Sequence, residues 1–210
     1  MSSPRLRSWC SARPFITFKS RFSSLTPVCT LSIFTLIDLP CLPCYHSTMV
    51  TITKPEEQEL DRTPDMGVER YASVSLREWR KENQADLAAG TLVPFLIKVG
   101  GKTVGFFSLG SSPEQVSRYT PGAQNAVVMR NFFIVPEEQG KGYGARVLKR
   151  LPKIVRARFP QAITISLAVN ATNLSAIRAY KKAGFVDTKH FYEKSIDGPA
   201  HVFTLSLQGR

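Results

Sequence analysis

Beyond residue 48 this chain has no cysteine: all four, Cys10, Cys29, Cys41 and Cys44, lie before Met49. The remainder of the 210 residues therefore needs no disulfide, offers no thiolate nucleophile and binds no metal through sulfur. Acid is missing from the start of the chain, where Asp38 alone precedes Glu56. An unbroken apolar run of the roughly 20 residues that span a bilayer is also missing. The nearest approach, Val28 to Leu42, is interrupted by Thr30, Ser32, Thr35, Asp38 and Pro40. Neither common nucleotide-phosphate signature is present. No Gly-Lys-Ser/Thr closes a glycine run, and a dinucleotide-binding pattern wants three glycines at other offsets and an acid about 20 residues later. Glycine (13) and proline (14) are too few for a collagen or a low-complexity polymer.

What is there divides at Met49. The chain is 43% apolar and 21% charged, which suits one folded domain with an added segment. Residues 1–48 carry five basic residues (Arg5, Arg7, Arg13, Lys19, Arg21) and one acid, a net +4 of the total +12. The leader is rich in Ser, Thr, Pro and Arg, as mitochondrial targeting segments are, yet Pro4, Pro14 and Pro27 interrupt any amphipathic helix. Two readings of it stand side by side: a targeting leader, or an extension upstream of a functional start at Met49. The first places the protein in mitochondria and the second in the cytoplasm. Cys41-Leu42-Pro43-Cys44 has metal-ligand spacing, but with only His46 near it an incidental pair is the better reading. The domain is expected to occupy residues 49–210.

Within that domain, Val50–Thr53 reads as a strand and Glu56–Arg70 as an acidic helix. A second helix is expected from Ser75, an N-cap, to Ala89, stopped by Gly90. Leu92–Val99 and Thr103–Leu109 are strands joined through Gly100-Gly101, a hairpin signal. Residues 110–124 read as a polar loop, Ala126–Val135 as an apolar strand ended by Pro136, and Lys141–Phe159 as a helix kinked by Pro152 near Lys149. Ala162–Val169 is a strand, Leu174–Ala183 a helix, and Val186–Ile196 with His201–Leu207 a hairpin around Asp197-Gly198-Pro199. This order predicts an α/β (α+β) protein whose mixed, mostly antiparallel sheet is flanked by helices.

The stretch richest in information is Val135-Pro136-Glu137-Glu138-Gln139-Gly140-Lys141-Gly142-Tyr143-Gly144. A strand ends, glycines crowd the chain, and a helix with the apolar stripe Val147, Leu148, Leu151, Ile154 and Val155 begins. Bare backbone N–H groups joined to a helix N-terminus form a natural phosphate cradle. From Lys141 to Arg158 there are seven basic residues and no acid, which adds positive charge. A run of this kind is more often simply a solvated face.

Gln139 to Gly144 resembles the Gln/Arg-x-x-Gly-x-Gly/Ala signature of the GNAT superfamily of acetyl-CoA-dependent N-acetyltransferases. Asn173-Leu174-Ser175-Ala176-Ile177-Arg178-Ala179-Tyr180-Lys181-Lys182-Ala183-Gly184-Phe185 resembles the same superfamily's second motif, Asn-x-x-Ala-x-x-x-Tyr-x-x-x-Gly-Phe. The resemblance implies that Gln139, Gly140, Lys141, Gly142, Tyr143 and Gly144 bind the pyrophosphate of acetyl-CoA, the cosubstrate. It implies that the backbone of Phe132, Phe133 and Ile134 pairs with the pantetheine arm, in a gap where that strand splays from Ile163–Val169. Asn173 then contacts the arm as well as capping its helix, and Tyr180 protonates the departing thiolate, a task suited to a group that stays protonated at neutral pH.

The base that frees the amine is not evident. Related acetyltransferases of ribosomal proteins carry a glutamate at a position matching Ala168, and no acid lies between Asn125 and Val135 or between Gln161 and Val169. Glu137, Glu138, Glu114 or water are the candidates. His190 and His201 read as strand surface residues, and no metal is expected. The function implied is acetyl transfer to a primary amine, on a small molecule or a protein, by direct attack in a ternary complex. A non-catalytic acyl-CoA-binding module is the alternative. A nucleic-acid binder, suggested by the charge, ranks lower because Phe106, Phe107, Phe132 and Phe133 lie in apolar strands rather than among the lysines. No membrane span is expected, and the acceptor and oligomeric state are left open.

Overall fold

A computed structural model describes residues 49–63, 75–192 and 198–209. The leader with its Cys41/Cys44 pair, the later part of the Glu56–Arg70 helix and the Asp197 turn lie outside those residues. Among the described residues the order is β1 (Val50–Thr53), α1 (Glu57–Arg62), α2 (Leu76–Glu82), α3 (Gln84–Ala88), β2 (Leu92–Val99), β3 (Lys102–Gly110), α4 (Pro113–Tyr119), β4 (Ala126–Ile134), a 3-10 turn at Pro136–Glu138, α5 (Tyr143–Arg158), β5 (Thr164–Asn170), α6 (Leu174–Lys182), β6 (Val186–Tyr192) and β7 (Ala200–Ser206).

Local chemistry accounts for most of these boundaries. Ser75 opens α2 with a capping box: its hydroxyl accepts from the Glu78 N–H while the Glu78 carboxylate accepts from the Ser75 N–H, an arrangement worth about 1 kcal/mol. The single helix expected from Ser75 to Ala89 is instead two short helices meeting at Asn83. Its side-chain amide donates to the Trp79 carbonyl at 2.7 Å, competing with the helical ladder. Gly100 and Gly101, both at positive φ, turn β2 into β3 as the twist of a tight hairpin requires. The segment read as a polar loop contains α4, capped by the Ser112 hydroxyl with Pro113 in its first turn. Helix α5 runs through Pro152 as one 16-residue element.

The seven strands form one sheet in the order β1-β2-β3-β4-β5-β7-β6. Every neighbouring pair is antiparallel except β4–β5, which is parallel. This is the mixed, mostly antiparallel architecture expected. Both faces are covered, and period-2 alternation sends side chains to two apolar layers. Val93, Phe95, Ile97, Val127, Ile165 and Leu167 join the apolar side of α5 and α6. Leu92, Leu96, Phe106 and Phe133 pack with Leu60 of α1 and with Leu76 and Trp79 of α2. Val128 and Ala126 lie under Val116 of α4, on the same side as α1 and α2. Among the described residues no helix is long and apolar enough to cross a membrane.

Candidate functional site

The site begins where two parallel strands part. β4 and β5 pair at Ala126/Thr164, Val127/Ile165 and Val128/Ser166, and no register pair follows. From Met129 to Ile134, β4 is held only by β3, and β5 beyond Ser166 only by β7. A bulge in β4 accompanies the parting. Between Phe106 and Ser108 of β3 there is one residue, while between Phe133 and Arg130 of β4 there are two. Asn131 takes the strain at φ 54°, a left-handed conformation that asparagine tolerates better than most residues. Its Oδ1 accepts from the Trp79 indole at 3.3 Å and from the Ser108 hydroxyl at 3.4 Å.

The glycine loop lies at the far end of this open half. Gly142 is the N-cap of α5 with φ 78°, and no side chain caps the helix. The first-turn N–H groups of α5 are therefore left to whatever binds there. A Cβ added at Gly140 or Gly142 would meet nothing within 4 Å, so both glycines border open space, and both have the positive φ for which glycine is suited. Gln139 is used differently from the loop glycines. Its side-chain amide donates to the Ile134 carbonyl at 2.8 Å and its N–H to Pro136 at 3.2 Å, which braces the loop against the strand. Tyr143 is buried, with Arg146 near its ring.

Phe132 links these parts. A Cβ on Gly144 would lie 3.6 Å from its ring, and the Tyr180 ring lies on it with centroids 6.4 Å apart. Tyr180 is buried at 7% exposure and also meets Phe185 edge-on. Asn173 caps α6, its Oδ1 accepting from the Ala176 N–H at 3.1 Å. The two sequence motifs, about 30 residues apart, thus converge through Phe132 on one face of the gap, whereas Phe133 turns to the α1/α2 side.

The candidate bases are placed elsewhere. Glu138 is bound to Lys141 at 2.8 Å and stands 3.6 Å from Lys102. The hydrogen bond from Lys141 and both positive charges hold its carboxyl below the usual range and raise the Lys141 ammonium in return. Such a carboxylate is a poor proton acceptor. Glu114 pairs with Arg118 on the exposed side of α4. Part of the basic run in α5 is structural: Arg150 donates to the Val50 carbonyl of β1 and Arg156 to that of Leu207 after β7. His201 stands 3.5 Å from Asp187, and among the described residues no group of His, Cys, Asp and Glu could hold a metal. An open depression of about 630 Å³ lies at the closed end of β4, lined by Val116, Asn125, Phe159 and Gln161, with Arg158 its single charge.

Sequence reasoning passed over Arg130 and Ser166, which border the parting, and Tyr119, which faces them from α4. One signal was available: Arg130 is the only charged residue of a mostly apolar strand.

A family profile described as the acetyltransferase (GNAT) family matches residues 54–185. No curated relative matches the sequence at a significant level. Among solved structures, aminoglycoside acetyltransferase AAC(6')-Ib in complex with coenzyme A superposes with a TM-score of 0.61 at 18% identity, covering 75% of this chain and 95% of that one. The spermidine N-acetyltransferase from Vibrio cholerae in complex with CoA and spermine gives 0.59 at 17% identity, with 75% and 95% covered. At such identities the likeness is one of fold.

Proposed function

Because this chain belongs to the acetyltransferase (GNAT) family, we propose that it transfers the acetyl group of acetyl-CoA to a primary amine by direct attack within a ternary complex. The observation that carries the reading is the parting of β4 from β5 after Val128, beside an uncapped, glycine-lined helix start. A nucleotide diphosphate suits the donors of Gly140, Lys141, Gly142, Tyr143 and Gly144 together with the helix dipole. Gln139 serves by holding that loop to the strand. The pantetheine amides suit the β4 edge at Phe132–Ile134, which lacks a partner strand on that side. Fold neighbours are solved in complex with coenzyme A, which supports acetyl-CoA as the cosubstrate.

The chemistry is then a balanced acyl transfer. The amine nitrogen bonds to the thioester carbon, the carbon–sulfur bond breaks, and the thiolate takes a proton from Tyr180, which lies against the open half of β4 through Phe132. Asn173 orders the start of α6, which carries Tyr180. The nitrogen's surplus proton leaves to water, since Glu137 is exposed on the 3-10 turn, Glu138 is held ionised by its lysines and Glu114 is paired on the outside of α4. No finding favours the alternative of a non-catalytic acyl-CoA-binding module.

Thiol release from acetyl-CoA against a panel of amines tests the activity. Tyr180→Phe should lower kcat by about 10²-fold while calorimetry gives an unchanged acetyl-CoA Kd. Wild-type turnover in that variant removes the acid role. Failure of the wild-type protein to bind acetyl-CoA removes the whole reading.

A further inference from the structure

The gap has two faces, and the reaction above occupies the one bearing Tyr180. Arg130 stands on the other. It lies two residues past the last β4–β5 pair, and alternation puts it on the side of Ala126 and Val128, under α4. Tyr119 at the end of α4 stands beside the Arg130 guanidinium; burial raises the Tyr119 phenol above its ordinary pKa, and the positive charge of Arg130 acts against that shift. The Tyr119 ring stacks on Tyr192 of β6 with centroids 5.0 Å apart and planes 16° from parallel. An arginine at the mouth of the gap is thus flanked by a two-ring aromatic wall. Ser166, paired with Val128 where the strands part and so on the same face, is fully buried, and its Oγ has no partner among the described residues. The next β5 residue on that face is Ala168, whose side chain is a single methyl group.

Arg130 is half-buried, and among the described residues no carboxylate pairs with it; every ion pair found there uses another cation. The parted segments Met129–Ile134 and Leu167–Asn170 contain no Asp or Glu. A polycationic amine entering here would meet a like charge, whereas a carboxylate would find a planar, bidentate donor.

Resting on the acetyltransferase reading, we propose that the acceptor is a free α-amino acid whose carboxylate is bound by Arg130 and whose side chain lies along the Tyr119–Tyr192 wall. Arg130 is a specificity-determining residue in this account, and Tyr119 stands beside it as part of the wall.

The test compares L-phenylalanine and L-methionine, each with its own amide, and spermidine, by thiol release from acetyl-CoA with the full chain. Each amide keeps the α-amino group, which loses its proton more readily than that of the free amino acid, but lacks the negative charge. The free amino acids are expected to exceed their amides at least tenfold in kcat/KM, mainly through KM. Arg130→Gln should erase that ratio and Arg130→Lys restore part of it, with the calorimetric acetyl-CoA Kd unchanged in both. If the wild-type protein uses the amides or spermidine as well as the amino acids, the proposal is overturned even if the variants do not fold. It is overturned too if Arg130→Gln lowers both members of each pair equally. In either case, turnover of some amine leaves the acetyltransferase reading standing. Acetyl-CoA binding without turnover of any amine would instead defeat that reading, and this one with it.

Discussion

The two halves of β4 are made of similar apolar residues but have different neighbours. Ala126–Val128 pairs with β5, Val128 pairs with β3 as well, and Val128 is fully buried under α4. Met129–Ile134 keeps β3 and loses β5, and after a bulge at Asn131 its adjacent aromatic residues alternate, Phe132 toward Tyr180 and Phe133 toward α1 and α2. The first half is core and the second is a strand edge enclosed by the protein. An unpaired edge is ordinarily a hazard for aggregation. Here it is shielded by α5 and α6 on one face and by Arg130 with Tyr119 on the other, which leaves access to a ligand that can supply the missing pairing.

The comparison can be broken at four points. The largest effect is expected in the closed half. Val128→Asp places an unpaired charge among fully buried residues and should abolish cooperative thermal unfolding, with the protein recovered insoluble. Next comes the loop serving the open half. Gly142→Asp puts a carboxylate where phosphate is expected and should weaken acetyl-CoA binding by about 100-fold or more in calorimetry. The ligand-free protein should lose only about 1–2 kcal/mol, because the added side chain meets no neighbour and only the left-handed φ is strained. If the two variants behave alike, the halves do not differ as described.

Gly105→Ala tests how far the open half depends on β3. The new Cβ would come within 2.4 Å of the Phe133 carbonyl, so a loss of roughly 1–3 kcal/mol in denaturant unfolding is expected, along with weaker acetyl-CoA binding. The smallest effect lies away from both halves. Asp187 of β6 is kept below its ordinary pKa by the Lys189 N–H, with the Lys189 ammonium and His201 adding to this. A lowered carboxyl pKa contributes stability that is present above the unfolded-state value and disappears as pH falls through the folded-state value. Asp187→Asn should therefore flatten the acid limb of the stability profile while acetyl-CoA binding stays the same.

Much of the site could be read from local residues because their work is local. Glycines at 140 and 142 permit the left-handed turn that starts α5, Asn173 caps α6, and Gly100-Gly101 closes a hairpin, each decided within a few positions. Helix α4 was legible in the same way, from Ser112 as cap and Pro113 after it, but the polar residues around it suggested a loop. The break at Asn83 was harder to foresee, since it depends on a side-chain amide choosing the Trp79 carbonyl over solvent.

The sequence by itself determined the glycine turn that starts α5, the order of the strands, and the absence of acid from the two strands that part. Only the tertiary structure decided that those strands share just three pairs, that Phe132 joins Gly144 to Tyr180, and that Arg130 meets Tyr119 and the Tyr192 stack across the sheet. The physical reason is distance along the chain. Turns and caps are satisfied by neighbours a few residues away, whereas β4 and β5 are joined through the whole of α5, so their register and the point where it fails depend on how that helix packs against the sheet.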